Sequence, residues 1–88
     1  MEVRRLTSEQ IRAARALLRW SAVDLARASA VAANTIRRAE VAGGITTLTA
    51  ANDLSIRRAL EEAGVEFIDE NGGGAGVRLR RPPKRMKD

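Results

Sequence analysis

The chain has 88 residues, 44% of them hydrophobic and 31% charged, which fits one small folded domain and excludes wholesale disorder. It carries 16 Lys and Arg against 11 Asp and Glu, and this net charge of +5 suits a polyanionic partner. Without Cys or His there are no disulfides, no thiolate or imidazole metal ligands and no Ser-His or Cys-His catalysis. No apolar run approaches the roughly 20 residues that span a bilayer, and no signal-peptide pattern is present. We therefore expect a cytoplasmic protein that is not an enzyme and needs no cofactor, metal or small-molecule ligand.

Two capping boxes mark the starts of the first two predicted helices. Thr7 and Gln10 have the residue types and spacing of such a box, and apolar residues then recur at helical spacing, which predicts a helix over residues 8–19. Ser21 and Asp24 repeat the pattern directly afterwards. A second, shorter helix of about two turns is therefore predicted over residues 22–28.

Two further helices and a hairpin complete the predicted elements. A third helical segment lies around residues 33–40 and ends before a pair of glycines, and Thr49 is the predicted N-cap of a fourth helix over residues 50–63. Residues 46–49 could add a short helical turn, so the pattern favours four or five helices. The hairpin is predicted from a strand over residues 65–68, a loop over residues 71–76 and a second strand over residues 77–80.

These elements predict a mainly α fold. Residues 6–64 would form a helix-turn-helix domain, with its two characteristic helices at about residues 21–40. A lone hairpin is marginally stable in water, so residues 65–80 should pack on the helices or on another chain. The basic segment 81–88 is predicted to be a disordered tail.

Four residues of the segment 21–40 fit a pattern known from one family of regulators. Ala26 is the small residue where two helices would cross, Val31 the apolar residue closing the turn, Ile36 the core anchor of the next helix, and Glu40 the acidic residue near its end. The segment resembles the repressor-like helix-turn-helix family, the XRE or Cro-type transcriptional regulators. The resemblance to short bacterial members covers about residues 6–80, through the runs 13–21, 56–61, 63–68, 70–74 and 76–80. It implies double-stranded DNA as the partner and a recognition helix around residues 33–40.

The chain departs from the family pattern at three positions. Ala22 stands where Gln often contacts backbone and base. Ala30 replaces the usual turn glycine, and Ala enters the left-handed region only at a cost of roughly 1 kcal/mol. Ala32 replaces the usual Ser before the recognition helix, so a side-chain cap worth about 1 kcal/mol is missing. Two polar contacts to DNA are lost with these residues.

The start and outer face of the recognition helix supply the candidate DNA-binding residues. Asn suits adenine, Arg suits guanine, and an alanine can touch a thymine methyl group. The predicted base-reading residues are Ala32, Ala33, Asn34 and Arg37. The predicted phosphate-binding residues are Ser21, Thr35, Arg38, Arg15, Arg19 and Arg27. For the arginines outside the third helix, an ordinary solvated face is the alternative interpretation.

A homodimer is expected, because one small module makes few DNA contacts. Two-fold symmetry would place two recognition helices about 34 Å apart, in successive major grooves of a palindromic operator. The predicted dimer-interface residues lie on the fourth helix and the hairpin: Leu54, Val65, Phe67, Ile68, Val77 and Leu79. The alternative is an antitoxin or other regulator that mainly binds a protein partner, which an exposed apolar hairpin surface would favour.

Overall fold

Four helices precede a two-stranded antiparallel hairpin in the computed structural model, which describes residues 5–80. The elements are α1 (Ser8–Leu18), α2 (Ala22–Ser29), α3 (Ala33–Val41), α4 (Ala50–Glu62), β1 (Val65–Ile68) and β2 (Gly76–Leu79). The predicted mainly α fold with a C-terminal hairpin is confirmed, and each predicted boundary lies within one residue of the observed one. Residues 46–49 form no helical turn, so the described range contains four helices. The predicted tail at residues 81–88 lies outside the described residues.

Side-chain caps begin three of the four helices. The Thr7 hydroxyl accepts the Gln10 backbone N–H at 3.0 Å, and the Gln10 side chain accepts the Thr7 backbone N–H at 3.0 Å. Ser21 and Asp24 make the same reciprocal pair at 3.0 and 2.8 Å. Thr49 caps α4 by accepting the Asn52 backbone N–H at 3.1 Å. Each cap satisfies backbone donors that have no partner inside the helix, which confirms the predicted starts of α1, α2 and α4.

The core lies where the helices and the hairpin meet. α2 packs against α3 and α4, while α1 packs against α3 and both strands. The largest fully buried apolar side chains come from α1, α2, α3, α4, β1 and the segment before α1: Leu6, Ile11, Leu25, Ile36, Ile56, Leu60 and Val65. Each such side chain contributes about 1.5–3 kcal/mol on leaving water.

The hairpin belongs to this core. Val65 pairs with Leu79 and is only 1% exposed, so the prediction that Val65 forms a dimer interface is wrong: its side chain is buried within its own chain. Phe67 and its partner Val77 pack against the same core. The Gln10 side-chain amide also donates to the Gly76 carbonyl at 3.1 Å, tying α1 to β2.

Buried polar side chains hold α3 and α4 against the start of α1. The Ser8 hydroxyl donates to the Ala39 carbonyl and accepts the Gly43 backbone N–H at 3.0 Å. The buried Asp53 carboxylate accepts the Leu6 backbone N–H at 3.0 Å. Buried polar groups are costly unless paired, so these bonds fix how the helices are placed. The sequence analysis did not identify either residue.

Candidate nucleic-acid interface

Three residues, Ala30, Val31 and Ala32, connect α2 to α3 in a tight turn. Ala30 has φ 63° and ψ 22°, the left-handed conformation expected at this position, and its N–H bonds to the Ala26 carbonyl at 2.8 Å. Val31 is buried, and its N–H donates to the Ser29 hydroxyl at 3.2 Å. The turn therefore brings α3 across α2 and buries its central residue.

The two faces of α3 differ sharply in exposure. Ile36, Ala39 and Glu40 are buried against the rest of the chain. Asn34 and Arg37 lie on the opposite, exposed face, as does the neighbouring Arg38. This division follows from the helical period of 3.6 residues. The burial of one face leaves the other free to contact a ligand.

The N-terminal end of α3 carries small side chains and no side-chain cap. Ala32, at the N-cap position, is exposed and makes no capping hydrogen bond, as the sequence predicts. Ala33 is half-buried, while Asn34 is exposed. The Asn34 side-chain oxygen accepts a hydrogen bond from Arg37 Nη1 at 3.2 Å. The two long polar residues predicted to read bases therefore contact each other.

Arg15, a predicted phosphate ligand, is instead committed to a partly buried ion pair. Its Nε and Nη2 donate to the two Glu40 carboxylate oxygens at 2.6 and 2.7 Å, and its Nη1 donates to the Trp20 carbonyl at 2.8 Å. The side chains of Arg15 and Glu40 are only 23% and 6% exposed. The hydrogen bond to Glu40 raises the pKa of Arg15. We therefore correct the prediction: Arg15 holds α3 against α1, because its guanidinium is already occupied within the chain.

The start of α2 carries its own negative charge. Ser21 is exposed, but both its backbone N–H and its hydroxyl bond to Asp24, and the bond from the Ser21 backbone N–H lowers the pKa of the Asp24 carboxyl. This carboxylate complements the helix dipole that would otherwise attract a phosphate. Arg19, shortly before α2, and Arg27, within α2, are both exposed.

A cavity of about 300 Å³ lies between α3 and the start of α4. Two predicted phosphate-binding residues, Thr35 and Arg38, line it together with three polar residues that the sequence analysis did not assign to DNA binding: Thr47, Thr49 and Asn52. Hydroxyls, an amide and a guanidinium are all groups that bind phosphate oxygens, and no residue lining this cavity is acidic. A signal was present in Thr47 and in the N-cap Thr49, but only the tertiary structure joins them to α3.

The six predicted interface residues do not form one exposed apolar surface. Among them only Leu54 is classed as exposed, at 38%. The outer side of the hairpin instead carries an ion pair between Glu66 and Arg78, with 3.2 Å between nitrogen and oxygen. Larger exposed fractions, 79% and 67%, belong to Val41, the last residue of α3, and to Ile45 beyond it, neither of which the sequence analysis singled out.

Residues 5–80 contain no cluster of three or more acidic side chains arranged to hold a metal ion. No helix in the same range is long and apolar enough to cross a membrane. No protein-family model and no curated protein matches the sequence.

Proposed function

We propose that the protein is a sequence-specific, double-stranded DNA-binding transcriptional regulator that acts as a homodimer on a palindromic operator. The exposed face of α3 carries this proposal: it follows a three-residue turn from α2 and presents Asn34, Arg37 and Arg38, while its opposite face is fixed in the core. The major groove of B-DNA, about 12 Å wide, admits an α-helix. A guanidinium such as that of Arg37 matches the O6 and N7 acceptors of guanine.

The cavity beside α3 supports the same proposal, because its side chains could contact a phosphate of the DNA backbone. Arg38 would bind a phosphate there, with hydroxyls of Thr35 and Thr47 and the N-terminus of the 13-residue α4 as neighbours. Contacts to phosphates orient a protein on the duplex, and contacts to base edges then specify the sequence. Arg37 and Arg38 are adjacent in the chain, so one helix would make both kinds of contact.

The homodimer remains part of the proposal because a palindrome needs two recognition helices related by two-fold symmetry. Leu54 is the residue of the predicted interface that stays available, since it is exposed on α4. The hairpin would contribute less than predicted, because Val65, Phe67 and Val77 pack within the chain. Its outer ion pair also provides no apolar surface for the alternative protein-binding role.

A selection of bound sequences from random duplex DNA tests the proposal. The selection is run at about 150 mM salt, because non-specific phosphate binding weakens steeply as salt rises. We expect a palindrome with half-sites about one helical turn apart. Arg37→Ala should relax one position in each half-site. Arg38→Ala should weaken binding to all sequences and reduce the slope of log affinity against log salt by about 2, because the dimer loses one phosphate contact in each half-site.

Arg58 provides a matched control, because it is exposed on α4 away from the cavity residues. Arg58→Ala removes the same charge and should leave the selected motif unchanged. The proposal fails if the wild-type protein selects no motif and its binding fades uniformly with salt. It also fails if Arg37→Ala selects the wild-type motif at every position.

A further inference from the structure

We propose that Asn34 is a positioning residue for Arg37, so that the two residues read a single G·C base pair and Asn34 reads no adenine. This inference rests on the proposed function and specifies its recognition chemistry. Asn34 and Arg37 are three residues apart on the exposed face of α3, where neighbouring turns bring side chains together. Arg37 Nη1 donates to Asn34 Oδ1 at 3.2 Å.

The donor arrangement of arginine allows it to bind both groups at once. A guanidinium has five N–H donors in a rigid plane, and guanine O6 and N7 require two of them. Because the bond to Asn34 uses only one Nη1 hydrogen of Arg37, a complete edge of the guanidinium remains for guanine. The bond to Asn34 also restricts a long side chain before binding, which reduces the rotamer freedom that Arg37 loses in the complex.

Asn34 cannot serve adenine equally well from the same position. A bidentate contact requires the amide oxygen to accept from adenine N6 while the amide nitrogen donates to N7. In the free protein that oxygen faces the Arg37 guanidinium. Turning the amide toward adenine would break this bond and release Arg37.

The small residues around the pair concentrate discrimination on Arg37. Ala32 and Ala33 at the start of α3 have no polar side-chain atoms, and Ala22 at the start of α2 is buried. Ala32 and Ala33 therefore offer only apolar contact, such as contact with a thymine methyl group. We therefore expect one strongly specified G·C pair in each half-site.

The test compares binding of the full chain to its selected duplex and to duplexes changed at one base pair at a time. Arg37→Ala should lose about 5- to 150-fold discrimination at the G·C pair, the range of one bidentate contact. Asn34→Ala should reduce discrimination at the same pair by about 2-fold, the effect of an exposed bond between neighbouring turns. The double variant should match Arg37→Ala, because Asn34 acts only through Arg37.

Asn34→Asp separates positioning from adenine contact. A carboxylate still accepts from Arg37 but cannot donate to adenine N7. This variant should keep the discrimination at the G·C pair while its overall affinity falls, because the new charge faces phosphates. Asn71→Asp makes the same charge change in the exposed hairpin loop and should alter affinity less. Circular dichroism should show unchanged folding for all variants at these exposed positions.

The inference is overturned if Asn34→Ala or Asn34→Asp relaxes an A·T position distinct from the Arg37 position. It is also overturned if the double variant loses discrimination at two separate base pairs. A wild-type protein with no sequence preference would overturn the proposed function itself, and this inference with it. That failure is visible before any variant is compared.

Discussion

Replacing Arg15 with Met should destabilise the protein by about 3–5 kcal/mol, because the change leaves the Glu40 carboxylate buried without its charged partner. The Glu40 side chain is only 6% exposed, and Arg15 donates to both of its oxygens at 2.6 and 2.7 Å. Domains of this size have a total stability of about 5–15 kcal/mol, so the loss is a large share of it. A loss of about 3 kcal/mol lowers the melting temperature by roughly 12–24 °C in a 60–100-residue domain.

The reverse change should cost less. Glu40→Leu leaves the Arg15 guanidinium without a carboxylate, but the Arg15 side chain is 23% exposed and can turn toward water. We expect a loss of about 1–3 kcal/mol, the usual cost of leaving a polar group unsatisfied. The double variant Arg15→Met/Glu40→Leu should recover most of the loss of Arg15→Met, because apolar replacement of a whole buried pair is often neutral.

Urea and thermal unfolding followed by circular dichroism measure all three variants. Arg58→Met is the control, since Arg58 is an exposed arginine on α4, and its effect should stay within about 0.5 kcal/mol. A loss below about 0.5 kcal/mol for Arg15→Met would refute the reasoning. A double variant as unstable as the sum of the single variants would refute it as well, because two residues that stabilise each other are non-additive.

Three further predictions concern the turn, acid stability and the dimer. Ala30→Gly should raise the free energy of unfolding by about 0.5–1 kcal/mol, because the left-handed conformation penalises Ala more than the flexible unfolded chain penalises Gly. Ala16→Gly, inside α1, should lower the free energy of unfolding by about 1 kcal/mol. Urea titrations in which Ala30→Gly and Ala16→Gly shift the free energy of unfolding in the same direction would contradict the prediction for Ala30. Hydrogen bonds from the N-cap Ser21 lower the pKa of Asp24 in the folded protein. Its contribution to the free energy of unfolding is therefore present above the unfolded pKa of about 3.9 and is lost as pH falls through the lower folded pKa. Asp24→Asn should therefore flatten the decline in stability below about pH 4, and an unchanged pH profile would exclude this role. Leu54→Glu should convert the proposed dimer to a monomer in light scattering, with little change in melting temperature because Leu54 is 38% exposed. Leu17 is comparably exposed, at 40%, so Leu17→Glu is the control and should remain dimeric.

Local interactions made much of this fold predictable from the sequence. The boxes at Thr7–Gln10 and Ser21–Asp24 form between residues three apart, so the spacing of residue types was sufficient to place the starts of α1 and α2. The left-handed turn at Ala30 and the missing side-chain cap at Ala32 were expected from the family resemblance, and both are observed. The exposed face of α3 also follows from sequence, because the helical period separates Asn34 from the buried Ile36.

The role of each basic or apolar residue depended on contacts across the chain. Arg15 and Glu40 are 25 residues apart, and nothing in the local pattern distinguishes this arginine from the exposed Arg19. The cavity likewise joins Arg38 of α3 to Asn52 of α4, two helices that the shared core and the bonds of Ser8 and Asp53 hold in place.

By itself the sequence determined where the helices begin, which face of α3 is apolar, and that two strands follow α4, with the second predicted at residues 77–80 and observed at Gly76–Leu79. Only the tertiary structure decided that Val65 completes the core, that Arg15 is an internal partner of Glu40, and that α3 and α4 share a polar cavity. The physical reason is the range of the interactions. Caps and turns are decided by hydrogen bonds within a few residues. Burial and ion pairing depend on which distant segments the folded chain brings together.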